Sequence, residues 1–218
     1  MRRVAISQRV IINGGYAEKR DCLAQDWAPF LAGLGIAALA IPNTLADPAA
    51  FAALWRVEGI ILSGGNTVGL ADETTPPADV FAERDATEQA LLRHAIDNGL
   101  PVLGVCRGMQ MINRHFGGTI TRAISGMGLN GHVGRDHQVR WRPDNRLITV
   151  NSYHDDAVLA ENMAPGLDVL ADCDDGRVIE ALRCPTLPIL GVQWHPERPA
   201  PDSHFNAGLI ARLFRLEM

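Results

Sequence analysis

The chain has 218 residues, 47% hydrophobic and 21% charged, a balance that fits one large or two small soluble domains with an ample core. A net charge of −5 disfavours non-specific binding to nucleic acid or to a membrane surface, since both reward a basic excess. No apolar run reaches the length of about 18 residues that a transmembrane helix needs, and the stretch after Met1-Arg2-Arg3 is broken too soon by Gln8 and Arg9 for a secretory signal, so the cytoplasm is the expected compartment.

In chain order, Val4–Ile6 reads as a strand and Cys22–Leu34 as a helix with Gly35 at its C-cap. Ile36–Ile41 is a strand stopped by Pro42, Pro48–Leu54 a short helix, and Val57–Leu62 a strand running into Ser63-Gly64-Gly65. Residues 66–79 hold two prolines in sequence and are the best candidate for a mobile surface segment. Val80–Asn98 is a long helix closed by Gly99, Pro101–Val105 a strand and Arg107–Phe116 a helix. This alternation implies parallel strands covered by helices on both faces. His137–Trp141, Leu147–Val150, Val169–Ala171, Val178–Leu182 and Ile189–Trp194 then read as strands with turn-rich links, which predicts antiparallel additions at one side. A final helix places Phe205, Leu209, Leu213 and Leu216 on one face. The expectation is a single domain over residues 1–218: an α/β, three-layer fold with a mainly parallel central sheet flanked by helices and antiparallel strands added in the C-terminal half.

The most informative stretch is Gly104-Val105-Cys106-Arg107-Gly108, where an apolar strand meets a helix at once. It is a thiol version of G-x-S-x-G, in which glycines permit a sharp turn that exposes one side chain above the sheet. A helix N-terminus favours an anion there, and the thiolate is the reactive form of cysteine. A small buried core residue is the commonest fate of a free cysteine, but the paired glycines favour a nucleophile. Such a nucleophile needs a histidine base oriented by a third group. Gln193-Trp194-His195-Pro196-Glu197 supplies both, since residues two apart in extended backbone share a face. Candidate oxyanion donors are the N–H groups of Arg107, which opens the helix, and of Gly65, whose strand ends on the same side of a parallel sheet. An ordinary glycine turn at Gly65 is equally compatible with the sequence alone.

The remaining histidines carry less. His94 lies in a charged helix, and His115 and His204 read as surface positions. His132 and His137 lie in a glycine-containing segment with metal-binding potential, but no carboxylate or cysteine cluster completes a site in the sequence. Cys22, Cys106, Cys173 and Cys184 lie far apart without a C-x-x-C, which indicates neither a zinc site nor a disulfide framework. No metal and no other cofactor is expected.

Gly104-x-Cys106-x-Gly108-x-Gln110, Ser63-Gly64-Gly65 and Gln193-Trp194-His195-Pro196-Glu197 together resemble the class I glutamine amidotransferase superfamily, in order and in spacing over most of the chain. The resemblance implies the flavodoxin-like glutaminase fold, a Cys106-His195-Glu197 triad and a γ-glutamyl thioester, with Gln110 holding the glutamyl α-amino and carboxylate groups. Ile6-Ser7-Gln8-Arg9 and Val150-Asn151-Ser152-Tyr153-His154 resemble the γ-glutamyl-γ-aminobutyrate hydrolase branch, which implies that Asn151, Ser152 and Tyr153 line the glutamyl pocket. Two positions depart from that branch: Asn66 stands where an acid is usual, and Asp155 where a second histidine is often found. Tyr16-Ala17-Glu18-Lys19-Arg20-Asp21 and Glu83-Arg84-Asp85 resemble γ-glutamyl-CDP-amidate hydrolases of phosphoramidate capsule modification. That likeness implies release of glutamate and cytidine diphosphoramidate, with Arg9, Arg20 and Arg107 near a diphosphate leaving group. Solvated charges or internal ion pairs are the competing roles for Arg9 and Arg20. The expected partner is a small-molecule γ-glutamyl substrate, and a homodimer is compatible with the sequence. The alternatives are a glutaminase subunit delivering ammonia to a partner synthase, and a catalytically idle scaffold that kept the fold.

Overall fold

The computed structural model describes residues 1–173 and 176–216. Its first half runs β1 (Arg2–Ser7), β2 (Arg9–Asn13), β3 (Glu18–Cys22), α1 (Trp27–Gly33), β4 (Ile36–Ile41), α2 (Pro48–Leu54), β5 (Ile60–Leu62), α3 (Ala82–Asn98), β6 (Val102–Val105) and α4 (Arg107–His115). The second half adds β7 (Val133–Trp141), β8 (Arg146–Tyr153), β9 (Val158–Leu159), β10 (Asp168–Cys173), β11 (Val178–Cys184), β12 (Ile189–Val192) and α5 (Ser203–Phe214).

Strands β4-β1-β5-β6-β12 are parallel neighbours, and β11, β10, β7 and β8 continue the same sheet with antiparallel pairing. Burial divides into two apolar layers. One lies against α2, α3 and α4 and includes Ala52, Leu91, Leu92 and Ile112. The other lies against α1 and α5 and includes Trp27, Leu31, Ile210 and Phe214, with Phe205, Leu209, Leu213 and Leu216 packed beside it. The three-layer α/β expectation therefore holds, as does the antiparallel addition in the second half. No helix among the described residues is long and apolar enough to cross a membrane.

Register sets the site. Gly104 on β6 is level with Leu62 on β5 and with Gly191 on β12. The chain leaves all three strands just beyond these positions, so Ser63-Gly64-Gly65, Cys106 and the segment to His195 emerge at one edge, the carboxyl end where α/β sheets collect ligands. Helix α4 reaches the sheet there because two glycines lack side chains. A Cβ on Gly108 would lie 2.1 Å from the Leu62 carbonyl oxygen, and one on Gly104 would lie 2.6 Å from the Gly108 backbone.

One local expectation fails. The helix over Cys22–Leu34 is confined to Trp27–Gly33, and residues 9–22 form the β2–β3 hairpin in register Arg9↔Cys22 to Asn13↔Glu18. The hairpin turns at Asn13-Gly14-Gly15, where Asn13 Oδ1 accepts from the Gly15 N–H at 3.0 Å. Its second strand is mostly charged, which hid the period-two pattern. Segment 66–79 lies at the surface, exposed over most of residues 71–79, with Glu73 paired to Arg122 at 2.7 Å and Thr67 bridging Val80.

Gly108→Ala is expected to lower the urea-unfolding free energy by about 3 kcal/mol, because backbone is the obstructing group. Gly33→Ala, whose added carbon meets nothing within 4 Å, is expected to stay within about 1 kcal/mol of wild type, on the stabilising side.

Candidate active site

Cys106 sits between β6 and α4 with φ 52° and ψ −105°, a backbone region that a residue with a side chain rarely adopts. Conformations of this kind cost about 1–3 kcal/mol and persist where the surroundings over-determine them. Here the Cys106 N–H donates to the Val192 carbonyl at 2.8 Å, and Gly104 and Gly108 allow the close packing on either side. The side chain is thereby raised above the sheet edge. Gln193 Nε2 lies 3.6 Å from Cys106 Sγ as a donor.

His195 and Glu197 are both buried, and His195 Nδ1 lies 2.7 Å from Glu197 Oε1. The expected extended geometry is replaced by a turn, with the Arg198 N–H donating to the His195 carbonyl at 3.2 Å. The pairing is thus made by a turn after β12 rather than by strand alternation. Burial opposes a charged imidazole at His195, but hydrogen bonding to Cys106 and Glu197 outweighs it and raises the pKa to about 9. A pKa raised to about 9 favours the protonated ring at neutral pH.

His195 is also held through its main chain. Asn151 Oδ1 accepts from the His195 N–H at 2.8 Å, and Asn151 Nδ2 donates to the His195 carbonyl at 2.9 Å. Asn151 is buried, spends its amide on this clamp and is not among the residues that line the cleft. Ser152 is likewise buried, with Oγ donating to the His132 carbonyl at 2.7 Å. Of the three residues expected to line the pocket, Tyr153 does so.

The glycine turn after β5 is organised by Arg84, which has no solvent exposure. Its Nη2 donates to the carbonyls of Ser63 at 2.7 Å and Gly64 at 3.0 Å, and its Nη1 donates to the Gly65 carbonyl. In a trans peptide the C=O and the following N–H point in opposite directions. Holding the Gly64 carbonyl therefore turns the Gly65 N–H away from Arg84, and Gly65 lines the cleft. Glu88 joins Arg84 at 3.0 Å to Arg107, whose guanidinium also pairs with Asp85. The Arg107 side chain is therefore committed inward and unavailable to a leaving group, while its backbone remains at the start of α4. Arg84 and Glu88 escaped the sequence reading as functional groups. Their signal was a four-residue spacing in register with buried Leu91 and Ala95.

These groups open on a cleft of about 420 Å³ lined by Cys106, His195, Gly64, Gly65, Gln110 and Tyr153 among others, within the size range of small-molecule sites. Gln110 reaches it with Nε2 donating to the Asp156 carbonyl at 2.8 Å. Arg9 lines the mouth beside Gly65. Arg20 does not line it: its guanidinium is bound to Tyr16 and Glu18 on the hairpin, both at 2.8 Å. Arg198, not foreseen, lies 4.4 Å over the Tyr153 ring and lines the same mouth. The two atypical positions also have structural work. Asn66 bonds both the N–H and the C=O of Val10, and Asp155 accepts from the Ser125 N–H and hydroxyl. A carboxylate at residue 66 would accept but not donate.

The grounds for expecting no metal cluster also fail. Glu180 and Cys173, distant in sequence, converge on His132 and His137, with one ligand-capable atom from each within 4.8 Å of the others.

Residues 5–197 match the family model for peptidase C26. The chain belongs to the peptidase C26 family, whose members are class I glutamine amidotransferase-like proteins. It is 31% identical over 196 residues to a γ-glutamyl-CDP-amidate hydrolase of Campylobacter jejuni, covering 89% of this chain and 90% of that protein. It is 32% identical over 165 residues to a glutamine-hydrolysing GMP synthase subunit from Thermococcus kodakarensis, covering 75% and 78%. A Schizosaccharomyces pombe protein designated a glutamine amidotransferase is 32% identical over 162 residues, and the chain spans 62% of its length. A glutamine amidotransferase structure from Thermotoga maritima superposes with TM-score 0.62 at 14% identity over 97% of this chain and 82% of that one, a likeness of fold.

For this peptidase C26 member the His195 pairing has a measurable consequence. Its folded pKa of about 9 lies above the ordinary 6.5, so the stabilisation is complete below about pH 6.5 and is lost as pH rises through 9. NMR of the His195 ring is expected to show a midpoint near 9, moved toward 6.5 by Glu197→Gln. A wild-type midpoint near 6.5 would contradict the ion-pair arrangement.

Proposed function

We propose that the chain hydrolyses a γ-glutamyl amide through a cysteinyl thioester, with Cys106 as nucleophile, His195 as general acid and base, and Glu197 as orienting carboxylate. The observation that carries this reading is the 2.7 Å pairing of His195 with Glu197 in the same cleft as Cys106 on its strained turn. The Cys106 thiolate attacks the γ-carbonyl carbon, and the carbonyl electron pair moves to oxygen. The N–H groups of Gly65 and Arg107 stabilise that oxyanion. As it collapses, the C–N bond breaks and protonated His195 gives its proton to the departing nitrogen. Neutral His195 then takes a proton from water, whose oxygen attacks the thioester; glutamate leaves and the thiolate–imidazolium pair returns. The cycle consumes one water and calls on no cofactor. Gln110 and Tyr153 are proposed to contact the glutamyl part.

The leaving group we favour carries phosphate. Arg9 and Arg198 line the mouth, and a guanidinium suits phosphate through paired donors. This reading takes γ-glutamyl-CDP-amidate as substrate and cytidine diphosphoramidate as the released amidate, and the likeness to the γ-glutamyl-CDP-amidate hydrolase of Campylobacter jejuni supports it. A glutaminase subunit that passes ammonia to a partner synthase is the second reading, favoured by the GMP synthase relatives.

Released glutamate should be followed with glutamine, γ-glutamyl-γ-aminobutyrate, other γ-glutamyl amines and γ-glutamyl-CDP-amidate. The expected result is highest kcat/KM on the amidate, with Cys106→Ala reduced by at least about 10³-fold at unchanged circular dichroism. Turnover of glutamine alone would favour the second reading, and undiminished activity of Cys106→Ala would remove the nucleophile.

A further inference from the structure

We propose that His132, His137, His154 and Glu180 form a binding site for a zinc-type divalent cation behind one wall of the cleft. The proposal does not rest on the reaction assigned above.

The geometry is unusual for hydrogen bonding and ordinary for metal ligation. His132 Nδ1, His137 Nε2 and His154 Nε2 each lie 3.5 Å from one atom, Glu180 Oε1. Nitrogen–oxygen hydrogen bonds favour about 2.9–3.0 Å, and three such donors converging on one oxygen would be crowded. Zinc binds imidazole nitrogen at about 2.0–2.1 Å and carboxylate oxygen at about 2.0–2.2 Å, so two ligands on a tetrahedral ion lie about 3.4 Å apart. The three separations from Glu180 Oε1 match that edge, and His132, His137 and Glu180 also lie within 4.8 Å of one another.

The surroundings fix the ring. His154 Nδ1 lies 3.1 Å from the Asp156 carbonyl oxygen, which leaves Nε2 directed at Glu180. Among the described residues, the buried His154 Nε2 and Glu180 Oε2 have no partner at hydrogen-bonding geometry. Glu180 has no solvent exposure and, among the described residues, no Lys or Arg pairs with it. A buried carboxylate is retained at such a position when it is paired or coordinates a metal. Three imidazoles with a carboxylate suit zinc better than magnesium or calcium, and the Asp156 carbonyl orients one ligand from outside. Cys173 Sγ, 3.4 Å from the same oxygen, borders the site.

The position suggests what the ion does. His154 follows Tyr153 and lines the cleft with Asp156, while the Glu180 carbonyl accepts from the Gln193 N–H at 2.7 Å. A metal here would fasten the 153–156 wall to β11, and so hold Tyr153 and the carbonyl that receives Gln110.

The test is zinc content by plasma mass spectrometry after gel filtration, followed by chelator stripping and titration with zinc alone against a chromogenic competitor. About one zinc per chain is expected, with stripping lowering Tm and added zinc restoring it. His137→Gln and His154→Gln, checked for folding by circular dichroism, should weaken zinc binding by at least about 100-fold, while Cys106→Ala should keep full stoichiometry. Wild-type protein that neither retains zinc nor gains Tm from it would overturn the proposal. Undiminished binding in both histidine variants, or its loss in Cys106→Ala, would place the ion elsewhere and overturn it equally.

Discussion

Arg84, Glu88 and Arg107 form an ion network with almost no solvent access, and both glycine-rich turns of the cleft hang from it. Removing such charges from water costs several kcal/mol each, which only close partners can offset. Here the partners are complete for Glu88: its carboxylate meets Ser7 at 2.8 Å as well as both arginines. Burial and the neighbouring Arg107 lower the Arg84 pKa to about 10, still high enough to keep it cationic at neutral pH. Its charge is directed at the carbonyls of Ser63, Gly64 and Gly65, so the electrostatics of the core become the geometry of a loop.

The sheet divides the remaining work. Its parallel half brings the Ser63–Gly65 turn and the Cys106 turn to one edge, because β5 and β6 are adjacent and end level. Its antiparallel half supplies Asn151, whose amide clamps the backbone of His195 on both sides. The histidine is therefore held at two points, its main chain by Asn151 from β8 and its ring by Glu197 two residues further on. A side chain raised on a strained backbone and a histidine fixed in this way line one cleft in set positions.

Much of this was legible in the sequence wherever the chemistry demands neighbouring residues. Gly104 to Gly108 encode a turn that only small residues permit, and His195 with Glu197 lie within one turn of backbone. Where function is assembled across the fold, the sequence was silent or misleading. Arg84 and Glu88 look like the solvated charges of a helix until their spacing is matched to Leu91 and Ala95. Glu180 stands alone in the apolar run Val178-Ile179-Glu180-Ala181-Leu182, and its three histidine neighbours come from β7 and from the segments before β7 and after β8. Asn151 was read as a pocket residue because it adjoins Tyr153 in the motif, yet its amide is taken up by the His195 backbone. The β2–β3 hairpin was missed because its second strand lacks apolar residues to reveal the period.

The most direct test of Cys106 as the attacking group is covalent trapping with a glutamate analogue bearing a chloromethyl ketone at the γ position, read by intact mass and peptide mapping. Cys22 lines the same cleft and serves as an internal control. A single adduct is predicted, on Cys106, formed much more slowly in His195→Ala. An adduct on Cys22, or labelling spread evenly over Cys22, Cys106, Cys173 and Cys184, would contradict the assignment.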